Sequence, residues 1–481
     1  MGGPVFYLSH LAVQNPKSLS TPVRIVFNSS QIYRGVSLNN FLAKGPDSYK
    51  TNLLSILLRF RENEVVYIGD IKKMYNSVHL QPLEQHTHRF LWRNLENRDP
   101  DIWCITRVNM GDKPAGAIAV EAKDKTAEMF KELGPTAAKA IIHSSYVDDI
   151  IDSVNSLEEA KHLTGEINSI LNKGGFEIKE WKYGGIGVYT NNNDLISVLG
   201  VTWCPKQDIM TFKITLNFSP KKRGIRTSPD ISLSEVDSQI PHSLTRRIVL
   251  AQVMSIYDPL GLLSPFLIKA KVYLRQSWIE KVQWDEPFSD GLYNLWKKFF
   301  IELADIQNLS FPRCLKPQNS VGDPQLIILS DGSEVAFGCA AYIRWQLDDG
   351  SFWVRLIIGK CRIAPVNRIS IPQMELNGAV LSKRIRVILE RECRFSFSNV
   401  YQLVDSETVL NMLHRLSTRF KVYEGVRIGE IQSATEGDLS CWGWIPGKLN
   451  IADWVTRFHS PNDLGPESQW FCGPDFLKKT I

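Results

Sequence analysis

The segment Ser144–Asp152 reads Ser-Ser-Tyr-Val-Asp-Asp-Ile-Ile-Asp, so two adjacent carboxylates stand between two apolar, β-branched runs. This pattern predicts a β-hairpin with Asp148 and Asp149 at its tip. Two ionised carboxylates side by side repel each other, and burying either of them without a cation is costly. A divalent metal ion would resolve this conflict and serve phosphoryl transfer. The alternative interpretation is a solvated turn, in which aspartate is common.

Asp70 is the third carboxylate of this predicted site. It follows a short apolar strand, Val65–Gly69, and the three carboxylates converge if the hairpin packs beside that strand. Two metal ions about 4 Å apart could then hold an attacking and a leaving oxygen in line. Mg²⁺ or Mn²⁺ suits such a site, because hard cations prefer carboxylate oxygens and nucleotide phosphates supply the remaining ligands.

Four further acids occupy similar places later in the chain, where two end predicted strands and two begin predicted helices. In chain order they are Asp331, Glu375, Asp405 and Asp453. Pro372 predicts the start of the helix that carries Glu375 in its first turn, because proline favours that position. Each acid alone is explained by the preference of Asp and Glu for the first turns of helices. As an ordered set of four, they favour a functional interpretation.

Composition excludes several other classes of protein. The 481 residues are enough for roughly two to four domains, and 43% apolar with 22% charged residues is typical of soluble globular proteins. No apolar run approaches the roughly 20 residues of a membrane span, and the N-terminus lacks the features of a secretory signal. The 8 cysteines form no Cys-x-x-Cys pair, so we expect neither a zinc site nor disulfides, but a reducing intracellular location. The net charge of +5 permits a nucleic-acid partner.

Predicted elements divide the chain into the ranges 1–204, 205–325, 326–460 and 461–481. The first alternates strands and helices, and in one helix Ser156 is the predicted N-cap while Glu159 completes a capping box. Val198–Trp203 is predicted as a single strand. The second range is predicted to be largely helical between two exposed linkers, 205–243 and 312–324. Strands resume in the third range, and the fourth is a C-terminal tail.

The acidic hairpin carries a family resemblance. Tyr146-Val147-Asp148-Asp149 resembles the YxDD box of reverse transcriptases, and Asp70-Ile71-Lys72-Lys73-Met74-Tyr75 resembles the first catalytic box of the same palm domain. In that family a bulky aromatic residue five positions after the first aspartate excludes a 2′-hydroxyl, and Tyr75 has that position. The chain is similar, nearly end to end, to the BEL/Pao group of LTR retrotransposon Pol polyproteins. The runs Arg24–Ser30 and Arg89–Trp92 match that group.

The resemblance assigns roles to individual residues. It implies that Asp70, Asp148 and Asp149 hold the catalytic metal ions of the polymerase. It also implies substrate-binding roles for Arg24, Tyr75, Tyr146 and Gly111. Arg24 would contact the incoming triphosphate, which a planar guanidinium binds bidentately, and the alternative for Arg24 is a surface ion pair. Met110–Gly116 corresponds to the family's Phe-Gly…Ser-Pro segment, which lines the nucleotide and template, although its Met, Asp, Lys and Ala depart from the usual pattern.

The second set of acids resembles the active site of the RNase H fold. In that family four carboxylates bind two Mg²⁺ ions and activate water to cut the RNA strand of a hybrid, and the second set of acids matches them residue by residue. Asn450–Arg457 resembles the group's Asn-Pro-Ala-Asp-x-x-Ser-Arg box, with Ile451 in place of proline and Thr456 in place of serine. Arg246–Trp278 resembles the connection region of the BEL/Pao group, so its expected role is structural.

The expected fold is an α+β and α/β multidomain protein. Residues 1–204 would form a reverse-transcriptase palm with partial fingers, 205–325 a helical thumb and connection, and 326–460 an RNase H-like domain. The expected function is that of an RNA-directed DNA polymerase with RNase H activity and two Mg²⁺ or Mn²⁺ ions in each active site. Expected partners are an RNA template, a DNA primer, an RNA–DNA hybrid and dNTPs, without a membrane. The cytoplasm, including virus-like particles, is the expected location, and the sequence does not indicate an oligomeric state.

Two alternatives complete the prediction. The match to the family begins at Tyr7–Val13, so we expect truncated fingers, and a catalytically inactive remnant that only binds nucleic acid is the alternative function. A peptidase is rejected, because an aspartic peptidase needs an Asp-Thr/Ser-Gly turn. Ser330–Ser333 carries those residue types in the wrong order.

Overall fold

The structure of the chain, a computed structural model, describes residues 4–14, 22–45, 52–188, 195–222, 225–226, 228–367, 369–434 and 438–479. The chain divides into two units. The first contains Met1–Ile56 and Val65–Tyr183, and the second contains Leu57–Glu64 and Gly184–Ile481. This division joins all residues after Tyr183 in one unit, so the finer ranges predicted from the sequence remain a prediction.

The first unit mixes short strands with helices. In its described part the strands are β1 (Ser9–Gln14), β2 (Val23–Asn28), β3 (Val65–Ile71), β4 (Arg89–Trp92), β5 (Asp101–Cys104), β6 (Ser145–Tyr146), β7 (Asp149–Val154) and β8 (Ile178–Gly185). The helices are α1 (Leu38–Phe41), α2 (Leu53–Glu62), α3 (Met74–Ser77), α4 (Pro82–Gln85), α5 (Ala115–Met129), α6 (Pro135–His143) and α7 (Leu157–Lys173). In sequence, α2 and β8 run across the boundary between the units.

A sheet in the order β6-β7-β3-β8 carries the first unit. β3 and β7 are antiparallel, with Val65 opposite Val154 at one end and Asp70 opposite Asp149 at the other. The apolar residues of β3 before Asp70 are buried, as the β-branched run predicts. α7 packs on β3 and β7 through residues spaced by three and four positions: Ala160, Leu163, Ile167, Ile170 and Leu171. The sheet therefore has one well-covered face beneath its acidic end.

The second unit is larger and contains longer strands. In its described part the strands are β9 (Ile196–Val198), β10 (Val201–Cys204), β11 (Ile209–Thr211), β12 (Lys221–Lys222), β13 (Ile225–Arg226), β14 (Ser310–Pro312), β15 (Ser320–Gly332), β16 (Ala336–Leu347), β17 (Phe352–Ile363), β18 (Asn399–Val404) and β19 (Trp442–Trp444). The helices are α8 (Val236–Gln239), α9 (Arg246–Val253), α10 (Ser264–Ile279), α11 (Asp290–Ala304), α12 (Ile371–Glu392), α13 (Glu407–Leu413), α14 (Val422–Ala434) and α15 (Gln469–Cys472).

A sheet in the order β17-β16-β15-β18-β19 carries the second unit. β15, β16 and β17 are antiparallel neighbours, whereas β18 pairs with β15 in parallel and β19 pairs with β18 in parallel. A parallel return needs a crossover connection, and α12 supplies it. α12, α13 and α14 enclose an apolar core with β18 and β19, formed by Leu376, Ala379, Val404, Leu413, Ile428, Ile431 and Trp442. The element order agrees with the one predicted from the sequence.

The edge strand β17 of this sheet is covered by the segment that leads into α10. The Gly359 amide donates to the Leu260 carbonyl at 2.9 Å. A Cβ atom on Gly261 would lie 1.8 Å from the Gly359 carbonyl oxygen, so the approach is possible only for glycine. Lys271 of α10 donates to the Cys361 carbonyl at 3.4 Å. These contacts occupy an edge that would otherwise be open to pairing with another chain.

Two sequence predictions in this unit are wrong. Val198–Trp203 is not one strand, because Leu199 and Gly200 adopt positive φ angles of 47° and 89° and form a tight turn between β9 and β10. The predicted linkers are also not uniformly exposed. Leu216 and Arg313 have no exposed surface, and β11 and β14 pair with each other. The polar composition of the two segments predicted exposure. The residues that bury Leu216 and Arg313 lie far away in sequence, so the sequence pattern did not indicate them.

Several helix predictions need adjustment. Ser156 caps α7 by accepting the Glu159 amide at 3.1 Å, but the Glu159 carboxylate accepts from the Asn155 amide at 3.0 Å, so the predicted capping box is not formed. Pro372 lies in the first turn of α12, whereas Glu375 comes just after that turn. Asp453 lies in a short 3-10 helix, Ile451–Val455.

The C-terminal range predicted as a tail is packed into the second unit. Trp470 has no exposed surface and donates its indole N–H to the Leu262 carbonyl at 2.8 Å. Within the described ranges, none of the helices combines the length and the apolar character that a membrane span requires.

A buried ion pair joins distant segments of the second unit. The Arg313 guanidinium bonds to both carboxylate oxygens of Asp208, at 2.5 and 2.9 Å, and also to the carbonyls of Phe60 and Glu64. Trp203 donates to the same carboxylate at 2.9 Å. Because every partner is buried or is a backbone carbonyl, removing the cation would leave Asp208 charged and poorly solvated.

Arg313→Met is therefore expected to lower the free energy of unfolding by about 3–5 kcal/mol. Urea denaturation followed by fluorescence measures this change. Arg247→Met is the matched control, because the Arg247–Asp285 pair is 65% and 69% exposed and exposed pairs contribute less than about 1 kcal/mol. Equal losses in the two variants would contradict the structural role of the buried pair.

Candidate active sites

Three carboxylates meet at one end of the first unit's sheet. Asp70 and Asp149 are directly opposite each other in the β3–β7 ladder. Asp148 precedes Asp149 in the turn that joins β6 to β7, and the Ile71 amide donates to the Asp148 carbonyl at 2.8 Å. The hairpin therefore lies beside the Asp70 strand, and the structure brings the three predicted acids together.

The three carboxylates interact electrostatically. Burial raises the pKa of Asp149 to about 6, and the charges of Asp148 and Asp70 add to the rise. Burial and the charge of Asp148 likewise raise the pKa of Asp70, which the ammonium group of Lys179 partly opposes. Asp70 and Asp149 are thus harder to ionise, because burial and the neighbouring carboxylates both disfavour their charged forms.

The hairpin is fixed from below by a buried ammonium group that sequence reasoning missed. Lys123 on α5 is 1% exposed, donates to the Ile141 carbonyl at 2.7 Å and to the Ser145 hydroxyl, and pairs with Asp124 at 2.9 Å. Ser145 directly precedes Tyr146, so Lys123 fixes the strand that enters the turn. The adjacent charges of Lys123 and Asp124, within a helix composed largely of small residues, were the sequence signal that could have indicated this buried pair.

Asp152, the remaining acid of the opening segment, is not part of this site. It is 3% exposed and accepts a hydrogen bond from Ser144 at 2.7 Å across the base of the hairpin. Asp152 therefore stabilises the base of the hairpin and lies outside its acidic tip.

The predicted substrate-binding residues fall into two groups. Tyr146 and Tyr75 are half-buried and belong to the acidic end, Tyr146 in the hairpin and Tyr75 in α3 shortly after Asp70. Arg24 has an exposed side chain on β2, and among the described residues no hydrogen bond or ion pair joins it to the three carboxylates. Gly111 lies against β2, where a Cβ atom would be 2.7 Å from the Phe27 carbonyl oxygen.

The second set of acids gathers at the ends of β15 and β18. Asp331 lies at the end of β15, and Asp405 directly follows β18, its parallel neighbour. Glu375 on α12 accepts a hydrogen bond at 2.6 Å from Ser406, the residue after Asp405. Asp453 lies in the 3-10 helix that follows β19.

Asp405 is the common electrostatic neighbour of the other three acids. Burial raises the pKa of Asp331 to about 6, the Thr456 hydrogen bond opposes the rise, and the charges of Asp405 and Asp453 add to it. Burial also raises the pKa of Glu375 and of Asp453, and in both the charge of Asp405 contributes. The four predicted acids therefore form one coupled group.

Neighbouring polar residues orient these acids. The Thr456 hydroxyl donates to Asp331, and Arg457 pairs with Asp453 at 2.7 Å. Asn450 donates to the Ser330 carbonyl at 3.0 Å, which ties the 3-10 helix to the strand that carries Asp331. Sequence reasoning identified Asn450–Arg457 as a motif but assigned these contacts no role.

The chemistry of both sites suits a hard divalent cation. Both sets consist only of carboxylates, and a positive charge would relieve the repulsion within each set. Within the part of the chain that the structure describes, no three His, Cys, Asp or Glu side chains already stand in a metal-holding group. Mg²⁺ is commonly held by one or two carboxylates and completes its shell with water and substrate phosphates. The carboxylates of both sites could therefore supply some ligands of such an ion, and water and substrate phosphates would supply the others.

Comparison with known proteins yields a family match in the second unit. No curated protein matches the chain. Residues 245–406 match the family described as "Pao retrotransposon-like RNaseH-like domain". This segment is therefore similar to Pao retrotransposon-like domains. The match includes Asp331, Glu375 and Asp405, and it supports the predicted resemblance to BEL/Pao-type Pol proteins.

Solved structures of foamy viral proteins have a similar fold. A foamy viral protease-reverse transcriptase dRH in complex with double-stranded DNA has a TM-score of 0.56 and 13% identity, covering 93% of this chain and 66% of that one. The same viral protein in complex with an RNA/DNA hybrid has a TM-score of 0.53 and 12% identity, covering 93% of this chain and 51% of that one. This likeness shows a shared fold. Together with the family match, it confirms the resemblance to a BEL/Pao-type retroelement Pol protein.

The turn of the acidic hairpin contains a strained residue. Val147 has a φ of +57°, in the left-handed region that β-branched residues rarely adopt. Such a conformation costs about 1–3 kcal/mol and persists where surrounding structure enforces it. The strain lies between Tyr146 and the two aspartates at the tip of the hairpin.

Val147→Gly is expected to raise the free energy of unfolding by up to about 1 kcal/mol, because glycine removes the strain but costs more chain entropy. Val13→Gly, in the ordinary strand β1, is the control and is expected to lower it by about 0.5–1 kcal/mol. Chemical denaturation of both variants measures the difference. A Val147→Gly protein as destabilised as the Val13→Gly protein would show that the turn is not strained.

Proposed function

We propose that the chain is an RNA-directed DNA polymerase with ribonuclease H activity, of the retroelement type. The observation that carries this proposal is the gathering of two separate sets of coupled carboxylates at strand ends. Asp70 and Asp149 face each other in one unit, and Asp405 couples to Asp331 and Glu375 in the other. Sites of this kind suit phosphoryl transfer, because they concentrate negative charge where divalent ions and phosphates must meet.

In the polymerase, the sheet of the first unit is the palm. Asp70, Asp148 and Asp149 would hold two Mg²⁺ or Mn²⁺ ions, and the Lys123 contact to Ser145 keeps the hairpin in register with Asp70. When bound, such ions supply positive charge that holds the attacking and leaving oxygens in line. Tyr75 would limit the space at the sugar.

The segment Met110–Gly116 would line the nucleotide and template. Its backbone runs close to the acidic end, because the Val108 amide donates at 3.0 Å to the carbonyl of Val78, and Val78 directly follows α3. Gly111 and Tyr146 would complete the surface around the nucleotide. Arg24 would contact the triphosphate from β2, where its side chain is exposed.

In the nuclease, Asp331, Glu375, Asp405 and Asp453 would hold two divalent ions. Thr456 would orient Asp331, and Ser406 would orient Glu375, because each hydroxyl donates a hydrogen bond to the carboxylate. When bound, such ions would supply the positive charge that activates water for attack on a phosphate of the RNA strand.

The proposed partners are an RNA template, a DNA primer, their hybrid and dNTPs. The structural neighbours are complexes with double-stranded DNA and with an RNA/DNA hybrid, which supports nucleic acid as the partner. The chain spans 66% and 51% of the length of these two proteins, so their full activities come to this chain only as proposals.

Asp148→Asn is expected to reduce primer extension on poly(rA)–oligo(dT) with Mg²⁺ or Mn²⁺ by about 10²–10³-fold, because a metal ligand supplies several kcal/mol of transition-state stabilisation. Incorporation of labelled dTTP measures the rate. Asp99→Asn is the matched control, because Asp99 is exposed and lies outside the site. A parent protein that extends no primer would reject the polymerase and favour the inactive, nucleic-acid-binding remnant.

Asp405→Asn is expected to abolish cleavage of the RNA strand in a labelled RNA–DNA hybrid, because Asp405 is the acid that couples to the other three. Gel analysis of the labelled RNA measures the loss, with Asp349→Asn in the exposed β16–β17 turn as the control. Cleavage that survives Asp405→Asn would contradict this assignment, whatever the polymerase result.

A further inference from the structure

The turn Met110–Lys113 is held against the first unit by contacts on both sides. Gly111 approaches β2 so closely that a Cβ atom would lie 2.7 Å from the Phe27 carbonyl oxygen. Asn39 donates its side-chain amide to the Gly111 carbonyl at 3.0 Å and accepts from the Lys113 amide at 2.8 Å. The turn is therefore an ordered part of the surface, and its Met110 side chain is 69% exposed.

Beneath this turn lies a buried polar network centred on Asp112. One carboxylate oxygen accepts from the Ser29 hydroxyl at 2.5 Å and from the Asn109 amide at 3.1 Å. The other lies 2.7 Å from Nε2 of His88. All four side chains are at most 9% exposed. Both carboxylate oxygens are thus satisfied by residues from three separate segments.

His88 and Asp112 interact electrostatically across their hydrogen bond. Burial would lower the pKa of His88, but the hydrogen bond and charge of Asp112 outweigh it and raise that pKa. Burial would raise the pKa of Asp112, but the hydrogen bonds from His88 and Ser29 outweigh it and lower that pKa. The remaining groups at His88 are the Thr87 hydroxyl and the Glu84 carbonyl, 2.9 and 3.3 Å from Nδ1. His88 and Asp112 therefore stabilise each other's charged forms.

We propose that His88 and Asp112 are positioning residues of the polymerase, which hold Met110 and Gly111 in place against the incoming nucleotide. This inference rests on the proposed function. Asp112 departs from the pattern that the related group shows, yet its charge is fully matched by His88, Ser29 and Asn109. A random substitution of aspartate into a buried turn would leave the charge unpaired. The matched network shows that Asp112 is accommodated as a structural part of the turn.

The network connects the turn to the catalytic end through the backbone. The Val108 amide donates to the Val78 carbonyl, and the Val78 amide donates to the carbonyl of Tyr75 at 3.2 Å. Asn109 follows Val108 directly and is part of the network. A displacement of Asp112 would therefore move the surface beside Tyr75 without touching a metal ligand, so nucleotide binding should suffer more than the chemical step.

A double-mutant cycle tests the proposal by primer extension at varied dTTP. His88→Gln leaves Asp112 buried without its cation, so KM for dTTP is expected to rise about tenfold, with kcat within about twofold of the parent. The double variant His88→Gln with Asp112→Asn is expected to recover most of this loss, because no unpaired charge remains. His162→Gln is the control, since that side chain is 77% exposed. An unchanged KM in His88→Gln, or a double variant no better than the single one, would overturn the proposal.

Hydrogen exchange separates this proposal from the proposed function. The Asp112 amide donates to the Asn109 carbonyl at 3.0 Å within the turn. Exchange of this amide that is accelerated more in His88→Gln than exchange of the β15 amides in the second unit supports a positioning role, and an equal acceleration at both places would overturn it. Equal exchange rates would overturn that role even if the parent extends primers. A parent without polymerase activity would reject the proposed function, and the exchange measurement would still decide whether the pair fixes the turn.

Discussion

Repulsion between carboxylates is the constraint around which both units are organised. Asp70 and Asp149 face each other across a strand pair, and in the second unit Asp405 acts on three other acids. Such arrangements cost folding free energy unless a cation compensates them. Neighbouring groups hold the acids in place despite this cost: Lys123 below the hairpin, Thr456 on Asp331, Ser406 on Glu375. Stability elsewhere in each sheet must offset the strain at its acidic end.

The features that the sequence predicted well are those set by local periodicity. Alternating and β-branched residues predict the hairpin and the β3 strand, and the side chains that end such strands lie at one edge of a sheet. The order of Asp331, Glu375, Asp405 and Asp453 relative to strands and helices predicts their gathering in the same way. In both sites the acids come together because backbone geometry leaves few other arrangements. The metal ions and the reactions remain proposals, because periodicity carries no information about a bound ligand.

The predictions that failed depend on partners that are distant in sequence. Arg313 stands in a polar, proline-flanked segment, and only its contacts with Asp208 and the Phe60 carbonyl reveal it as a core residue. Lys123 reads as one charge among several on α5, although it is buried against Ser145. Glu159 has the right spacing for a capping box, but the Asn155 amide competes for its carboxylate. Polar residues are assigned to the surface by default, and tertiary pairing overrides that assignment.

Tertiary pairing also changes the interpretation of Asp112. In the sequence, Asp112 is one of the residues of Met110–Gly116 that depart from the pattern of the related group. In the structure the Asp112 carboxylate points inward and bonds to His88, so the exposed side chains of the turn are those of Met110 and Lys113. A buried ion pair of this kind adds little stability compared with an apolar pair, but it tolerates few alternative arrangements. The ion pair fixes the turn Met110–Lys113 in one position beside the residues that follow Asp70. This turn lies between β5 and α5 in the chain and packs on β2.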